Sequence, residues 1–328
     1  MSSSPAATDQ SSGVSDRLSR LMLPSSFRLS LALAGMLVLL PLSAFAQAPL
    51  TAPLVLTQPP SARVTALAGA WVAGRDQDVI FFNPAQLIGA RNDFAVSFGH
   101  FSDGGHAAAL TSSYTGGKLS FTLGWGVQLT NFMIEPGDVP PFSPDLLFGV
   151  RAGDAQSSVA VVGAAVQYKG FKFGGSGKYA AERTDVNRSR FLADFGVAHS
   201  LFGGVAAFAV QNFSGGRLDE HLPLAMVPQQ ISGGWSVTRA AGPLDLAVFT
   251  QLSHREDWTA PSAGLEANYS WIEGYLVTAR VGVRRPETDS ETPVSLGGAF
   301  TADRLTVEYA LRLFDEGRRA HVVTIRWR

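Results

Sequence analysis

The chain has 328 residues, of which 46% are hydrophobic and only 16% are charged, and its formal net charge is -1. This near-neutral balance provides no basic surface for nucleic acid, so nucleic-acid binding is not expected. The sequence contains no cysteine, which excludes disulfide bonds, thiolate metal ligands and thiol chemistry.

Residues 1–46 have the pattern of a bacterial secretory signal peptide. Arginines precede the apolar run 29–42, and the small residues Ala44 and Ala46 stand directly before Gln47. The apolar run is too short for a permanent transmembrane helix, and no cysteine follows it for lipid attachment. We therefore predict that the signal peptide is cleaved and that the chain is exported from residue 47 onward.

Residues 47–91 differ from the rest of the chain because they show no strand pattern. Four prolines lie in 47–60, the small apolar piece 66–73 has the composition of one short helix, and breaks follow at 76–78 and at Asn83-Pro84. We interpret this region as an extended lead followed by a packed N-terminal cap. Because it precedes all the predicted strands, it could fold back onto them.

Residues 92–328 read as a series of strands with almost no helical periodicity. The segments have the length needed to cross a bilayer obliquely, and we count about fourteen of them. Short connections such as 169–170 alternate with longer ones such as 131–156 and 213–228. This alternation is typical of an up-and-down barrel. We predict an all-β fold, a transmembrane antiparallel barrel of about fourteen strands in a Gram-negative outer membrane, with residues 47–91 plugging its lumen.

The C-terminal hairpin allows its two faces to be assigned. Leu305, Val307 and Tyr309 alternate with Thr306 and Glu308, as period two requires. Since a dry soluble core rarely holds charges, the apolar face is predicted to meet outer-membrane lipid and the other face the lumen. The same alternation predicts five lumenal charges on the last strands: Glu266, Arg280, Glu308, Arg312 and Arg326. They form either a ladder of ion pairs or a solute-selective site.

Two stretches resemble outer-membrane barrels of the FadL and PorV/PorQ type. LAGAWVAGRDQDVIFFNPAQL (67–87) is similar to that family's glycine-rich piece, acidic turn and Asn-Pro-Ala hatch motif. The matching residues are Asp76, Asp78, Asn83, Pro84 and Ala85. The second stretch, LTVEYAL followed by HVVTIRW, resembles the closing hairpin of the PorV/PorQ branch.

This resemblance implies a fourteen-stranded barrel whose N-terminus plugs the lumen. FadL-type members pass hydrophobic solutes, whereas PorV-type members serve a protein secretion and surface-attachment system. The mature chain is too short for the long outer loops of the FadL branch, which favours the PorV/PorQ branch. A structural turn and a functional gate are both compatible with the hatch motif.

No catalytic, cofactor or metal site is expected. The GGSGK sequence at 174–178 lacks the spacing of a phosphate loop, and Asp76 with Asp78 lacks further oxygen ligands for a cation. The six histidines show no metal-binding spacing. His221 and His254, which have aspartates nearby, are the only candidates for an enzymatic alternative. We predict a protein that is not an enzyme.

The predicted function is transport or association with secretion. Apolar residues lie in or beside the predicted outer loops: Phe132, Phe142, Leu146, Phe148, Leu224 and Met226. Exposed apolar loops are suited to a secretion-system or surface protein, or to a hydrophobic small molecule. Alternatively, the loops fold onto each other as a lid. An uptake channel for hydrophobic small molecules and a purely structural barrel are the competing functions.

Overall fold

A computed structural model describes residues 54–57, 61–90, 92–102, 105–118, 121–134, 155–183, 187–213, 229–255, 258–286 and 291–328. Within these residues, fourteen strands form one closed antiparallel barrel, in which neighbours in sequence pair and β1 also pairs with β14. The predicted antiparallel barrel of about fourteen strands is therefore confirmed. The strands are β1 (Asp93–Phe101), β2 (His106–Lys118), β3 (Phe121–Ile134), β4 (Ala155–Tyr168), β5 (Phe171–Arg183), β6 (Asn187–Leu201), β7 (Gly204–Phe213), β8 (Gln230–Ala241), β9 (Leu244–Arg255), β10 (Trp258–Ile272), β11 (Tyr275–Arg284), β12 (Glu291–Ala302), β13 (Leu305–Phe314) and β14 (Arg319–Trp327).

The helices of the described residues are short. They are α1 (Leu54–Thr57), α2 (Ala62–Ala66), α3 (Val79–Phe82) and the 3₁₀ helices Pro84–Gly89 and Asp315–Gly317. The helix predicted at 66–73 is wrong, because α2 begins earlier, where Ser61 caps it by accepting a hydrogen bond from the Val64 N–H. Ala68 and Gly69 have positive φ and end it. None of these helices is long and apolar enough to cross a membrane.

The two ends of the barrel differ in their connections. Two-residue connections such as 169–170 and 202–203 lie at one end, the turn end, where the C-terminal residue Arg328 also lies. Lys169, Gly170, Phe202 and Gly203 all have positive φ, which matches the twist of hairpin strands. The other end, the loop end, carries connections of very different length, including 135–154.

One connection at the loop end is short. β9 continues to Arg255 and β10 begins at Trp258, so residues 256–257 join them. Pro261 cannot donate a ladder hydrogen bond, a property that disfavours the interior of a strand. In the barrel it lies within β10, opposite Leu252 of β9, and its carbonyl accepts a hydrogen bond from the Arg285 N–H.

The two faces of the wall follow the predicted alternation. Val281 is 37% exposed and Val307 is 44% exposed on the outer face, whereas Thr278 and Thr306 are buried on the inner face. Exposed aromatic side chains lie on the outer face near the turn end: Tyr168, Phe171, Trp271, Tyr275 and Trp327. A continuous apolar outer face with aromatics near one end is suited to contact with lipid.

Arginine substitutions test this assignment of the outer face. Val281 lies near the middle of β11, whereas Leu305, with nearly the same exposure of 38%, begins β13 at the turn end. Val281→Arg is expected to cost about 2–4 kcal/mol of folding free energy in a bilayer, and Leu305→Arg about 0–1 kcal/mol, because burying a charge is most costly at the midplane. Urea titrations of folding into liposomes measure both values. Equal costs at the two sites would contradict a lipid-facing belt.

Candidate functional site in the barrel lumen

Residues 61–90, the lumenal segment, lie against the inner wall on several sides. Helix α2 packs on β11–β14, whereas the 3₁₀ helix Pro84–Gly89 packs on β2–β6. Leu67, Trp71 and Ile80 are fully buried. Since the two packing surfaces belong to different parts of the wall, the segment crosses the inside of the barrel.

Inward-facing glycines make room for the backbone of the lumenal segment. A Cβ atom at Gly174 would collide with the backbone of Ala85, and one at Gly282 would collide with the backbone of Leu67. By contrast, a Cβ at Gly177 on the outer face of β5 would meet no atom. The backbone of the lumenal segment comes so close to the wall at Gly174 and Gly282 that a side chain would not fit there.

Wall side chains also pair with backbone groups of the lumenal segment. The Gln251 Oε1 accepts hydrogen bonds from the Trp71 and Val72 N–H groups at 2.9 and 2.7 Å. On the neighbouring strands, Ser236 Oγ donates to the Ala73 carbonyl at 2.8 Å and Gln211 Nε2 donates to the Phe81 carbonyl at 2.7 Å. These bonds satisfy buried backbone groups that have no partner in regular secondary structure.

The residues of the predicted hatch motif form a turn within the lumenal segment. The Asn83 Oδ1 accepts a hydrogen bond from the Ala85 N–H at 3.1 Å, and the Asn83 Nδ2 donates to the Val72 carbonyl at 3.1 Å. Pro84 opens the 3₁₀ helix, and Ala85 is buried. The asparagine side chain therefore ties two parts of the segment together.

Four of the five predicted lumenal charges join two charges of the lumenal segment in a closed ring. Arg63 lies 2.8 Å from Glu266, which lies 2.7 Å from Arg280. The ring continues from Arg280 to Glu308 at 3.3 Å, from Glu308 to Arg326 at 3.4 Å, from Arg326 to Asp76 at 3.5 Å, and from Asp76 to Arg63 at 3.2 Å. Positive and negative charges alternate throughout. We call these six residues the charge ring.

The fifth predicted lumenal charge lies elsewhere. Arg312 pairs with Glu291 at 2.6 Å, and Glu291 also pairs with Arg284 at 2.9 Å, closer to the loop end. The sequence did not identify Arg63 as a partner of the wall charges, because nothing in its local pattern shows that the segment reaches β10. Its position beside Asp76 depends on the fold of the segment.

Asp78 adds a carboxylate beside the charge ring. It lies 3.3 Å from Arg326 and is buried. Burial and the neighbouring Asp76 raise the pKa of the Asp78 carboxyl to about 7, although Arg326 and Ser61 act in the opposite direction. Arg63, Glu308 and Asp93 are further charges close to this corner. We therefore expect Asp78 to change its charge near neutral pH.

The inner face of β3–β6, opposite the charge ring, carries a cluster of apolar side chains among polar ones. The apolar residues, which we call the apolar wall, are Phe132, Val159, Val161, Ala165, Ala180 and Leu192. The buried polar residues of the same strands include Gln128, Thr130, Ser157 and Ser176. Ile80, Phe81 and Leu87 of the lumenal segment belong to the same buried cluster. One ion pair, Lys178 with Asp194 at 2.8 Å, lies within this side. The lumenal segment therefore rests on ion pairs on one side. On the other side it rests on apolar contacts and on hydrogen bonds such as that from Lys178 Nζ to the Phe81 carbonyl at 3.4 Å.

The placement of Phe132 in an outer loop is wrong. Its side chain is only 1% exposed and packs against Phe101 with ring centroids 5.4 Å apart, because β3 continues beyond Phe132 and turns this side chain inward. The other predicted loop contacts lie outside the described residues: Phe142, Leu146, Phe148, Leu224 and Met226. His221 also lies outside them, and His254 forms a 2.9 Å hydrogen bond with the Thr259 hydroxyl.

Two clefts lie in the loop-end half of the lumen, on either side of α1. The apolar cleft, of about 30 Å³, is lined by Val55, Phe101 and Phe132 among others. The mixed cleft, of about 80 Å³, is lined by Leu56, Phe82, Trp258, Gln211, Gln230 and Arg255 among others. A cavity of roughly 150 Å³ is known to bind benzene, so both clefts must widen to admit an aromatic molecule.

No family model matches the chain, and no curated protein matches it. Solved barrels do match. The CymD monoaromatic hydrocarbon channel has a TM-score of 0.51 at 12% identity, covering 85% of this chain and 97% of that one. The Pseudomonas putida toluene transporter TodX has a TM-score of 0.51 at 9% identity, covering 80% and 95%. At these low sequence identities, the similarity to the two solved structures shows a shared barrel fold.

The charge state of Asp78 gives the barrel a testable pH dependence. Its pKa rises from 3.8 to about 7 on folding, so the folded state holds this proton more tightly than the unfolded state. The stability that Asp78 contributes is thus greatest below about pH 4 and falls as the pH rises to about 7. Asp78→Asn is expected to remove this decline. Thermal unfolding of the detergent-solubilised barrel at pH 4 to 8 measures it.

The matched control for this experiment is Asp303→Asn, which changes an exposed carboxyl at the turn end. The unfolding temperature of this control is expected to follow that of the natural chain at every pH. If the unfolding temperature of Asp78→Asn changes with pH in the same way as that of the natural chain between pH 4 and pH 7, the buried carboxyl is not protonated there.

Proposed function

We propose that the protein is a non-enzymatic outer-membrane barrel that passes small apolar molecules and is closed at rest by the lumenal segment. The observation that carries the proposal is the apolar wall. Interiors of membrane barrels are ordinarily polar, whereas here Phe132, Val159 and Val161 turn inward. A path for water-soluble solutes would not need such a surface, but a path for hydrocarbon would.

The signal-peptide pattern of residues 1–46 and the apolar outer face both support an outer-membrane location. In this assignment, the turn end faces the periplasm and the loop end faces the outside. The apolar cleft then lies in the half of the lumen that is nearer to the outside of the cell. The two solved barrels described above, a monoaromatic hydrocarbon channel and a toluene transporter, support small aromatic molecules as the solute class.

Passage requires the lumenal segment to move, because the clefts at its loop-end side are small. The charge ring fixes α2 through Arg63. The 3₁₀ helix Pro84–Gly89 packs on β2–β6 through the apolar side chains of Leu87 and Ile88 and through single hydrogen bonds, such as that from Thr115 Oγ1 to the Leu87 carbonyl. Contacts with hydrocarbon are non-directional and can be exchanged for contacts with an apolar solute. We therefore infer that α2 stays anchored while the 3₁₀ helix shifts. The hatch motif at Asn83 would then lie in the moving part.

Association with a secretion-system or surface protein, as in the PorV/PorQ branch, remains a prediction. It depends on the apolar residues Phe142, Leu146, Phe148, Leu224 and Met226, which lie outside the described residues. The comparisons do not place the chain in that branch. Changing Phe142, Leu146 and Phe148 to Ser is expected to remove a docked protein, and it leaves the residues of the apolar wall unchanged.

Phe132 provides the direct test of apolar solute passage. Phe132→Ser places a hydroxyl in the apolar cleft and removes the ring contact with Phe101. We expect the initial uptake of a radiolabelled monoaromatic hydrocarbon, by cells producing the barrel, to fall several-fold, because an apolar pocket is then opened and made polar. The rate is measured against cells that lack the barrel.

Met133→Ser is the matched control, since Met133 is the next residue of β3 and faces outward with 49% exposure. Its uptake rate is expected to equal that of the unchanged barrel. If the barrel gives no uptake above cells that lack it, or if both variants lower the rate equally, the proposed function is wrong.

A further inference from the structure

Two histidines face each other at the loop end of the first hairpin. The Phe101 N–H donates to the Gly105 carbonyl at 3.1 Å, so these two residues form a hydrogen-bonded pair. The next pair, His100 with His106, is therefore a non-hydrogen-bonded pair, in which side chains of antiparallel strands approach most closely. Their Nδ1 atoms lie 3.4 Å apart, and their rings are nearly parallel.

The separation of these nitrogens fits a shared metal ion. Zinc binds imidazole nitrogen at about 2.0–2.1 Å in tetrahedral geometry, which places two such nitrogens about 3.3 Å apart. The observed 3.4 Å agrees with this value. The same distance permits one ring to donate a weak hydrogen bond to the other. A metal replaces that bond, because both nitrogens then present lone pairs to it.

Both imidazoles are accessible from outside the barrel. His100 and His106 are exposed, and they stand at the loop-end termini of β1 and β2. Phe98, two residues before His100, and Leu110, four residues after His106, are apolar and exposed on the same face. The histidines thus lie where the apolar belt ends and the loop end begins. An ion from the external medium can reach them without entering hydrocarbon.

We propose that His100 and His106 form a two-imidazole site for a divalent transition-metal ion, with water in the remaining positions. Imidazole favours Cu²⁺, Ni²⁺ and Zn²⁺, whereas Ca²⁺ and Mg²⁺ prefer oxygen ligands, and Cu²⁺ is expected to bind most tightly. The bound ion would join β1 to β2 directly outside Phe101, which lines the apolar cleft. It would therefore fix the strand ends at the mouth of that cleft.

His321 is the neighbouring histidine and serves as the matched control. It lies opposite His100 on β14 and on the same outer face, but its Nδ1 is 2.7 Å from the Tyr309 hydroxyl. Among the residues that the structure describes, no group of three or more His, Asp or Glu is arranged to hold a metal ion. The proposed site therefore consists of His100 and His106 and does not include His321.

Cu²⁺ electron paramagnetic resonance of the full barrel in detergent tests the site, with a purification tag that contains no histidine. One equivalent of Cu²⁺ is expected to show coupling to two equatorial nitrogens. His100→Ala and His106→Ala should each weaken Cu²⁺ binding at least tenfold, and His321→Ala should leave the spectrum unchanged. Heat-modifiable migration on gels confirms that each variant is folded.

Two results would overturn the assignment. One is a two-nitrogen spectrum that persists in the His100→Ala, His106→Ala double variant, which would place the ion elsewhere. The other is loss of the signal in His321→Ala, which would mean that the two facing histidines are not sufficient. Because none of these residues lines the lumen, the outcome is independent of solute passage.

Discussion

The charge ring is the interaction on which the inside of this barrel depends. A buried charge left without a partner costs several kcal/mol, and each of the six ring members has two neighbours of opposite sign. Arg63 and Asp76 come from the lumenal segment, whereas the other four come from the wall. Without the segment, Glu266 and Arg326 would each lose a partner. Wall and segment are therefore matched to each other electrostatically.

The two sides of the lumen hold the segment by different physical means. On the side of β10–β14 the contacts are directional ion pairs, which break when either partner moves. On the side of β3–β6 apolar contacts are joined by single hydrogen bonds, such as that from Lys178 Nζ to the Phe81 carbonyl, and glycines such as Gly174 bring the backbone of Ala85 close to the wall. A segment held in this way has one fixed part and one part that can exchange its contacts. This asymmetry links the fold to the proposed passage of apolar solutes.

Much of the fold was predictable because a strand repeats every two residues. The alternation from Leu305 to Trp327 identified both faces, and it placed Glu308 and Arg326 inside. Contacts between distant parts of the chain were not predictable. Arg63 meets Glu266 only through the path of the lumenal segment, and His100 stands opposite His321 only because β1 and β14 close the barrel. Phe132 was misplaced because a proline-rich stretch follows it in the sequence.

A disulfide test addresses most directly the claim that residues 61–90 occupy the lumen. The Leu67 Cβ lies 3.0 Å from the position of a Cβ at Gly264, so a separation of about 0.5 Å more reaches the range of disulfide Cβ atoms, about 3.5–4.5 Å. The chain has no other cysteine. Leu67→Cys with Gly264→Cys is expected to cross-link in intact cells, whereas Leu67→Cys with Leu265→Cys, on the opposite face of β10, should not. Cross-linking to Leu265→Cys but not to Gly264→Cys would contradict a segment held inside the barrel.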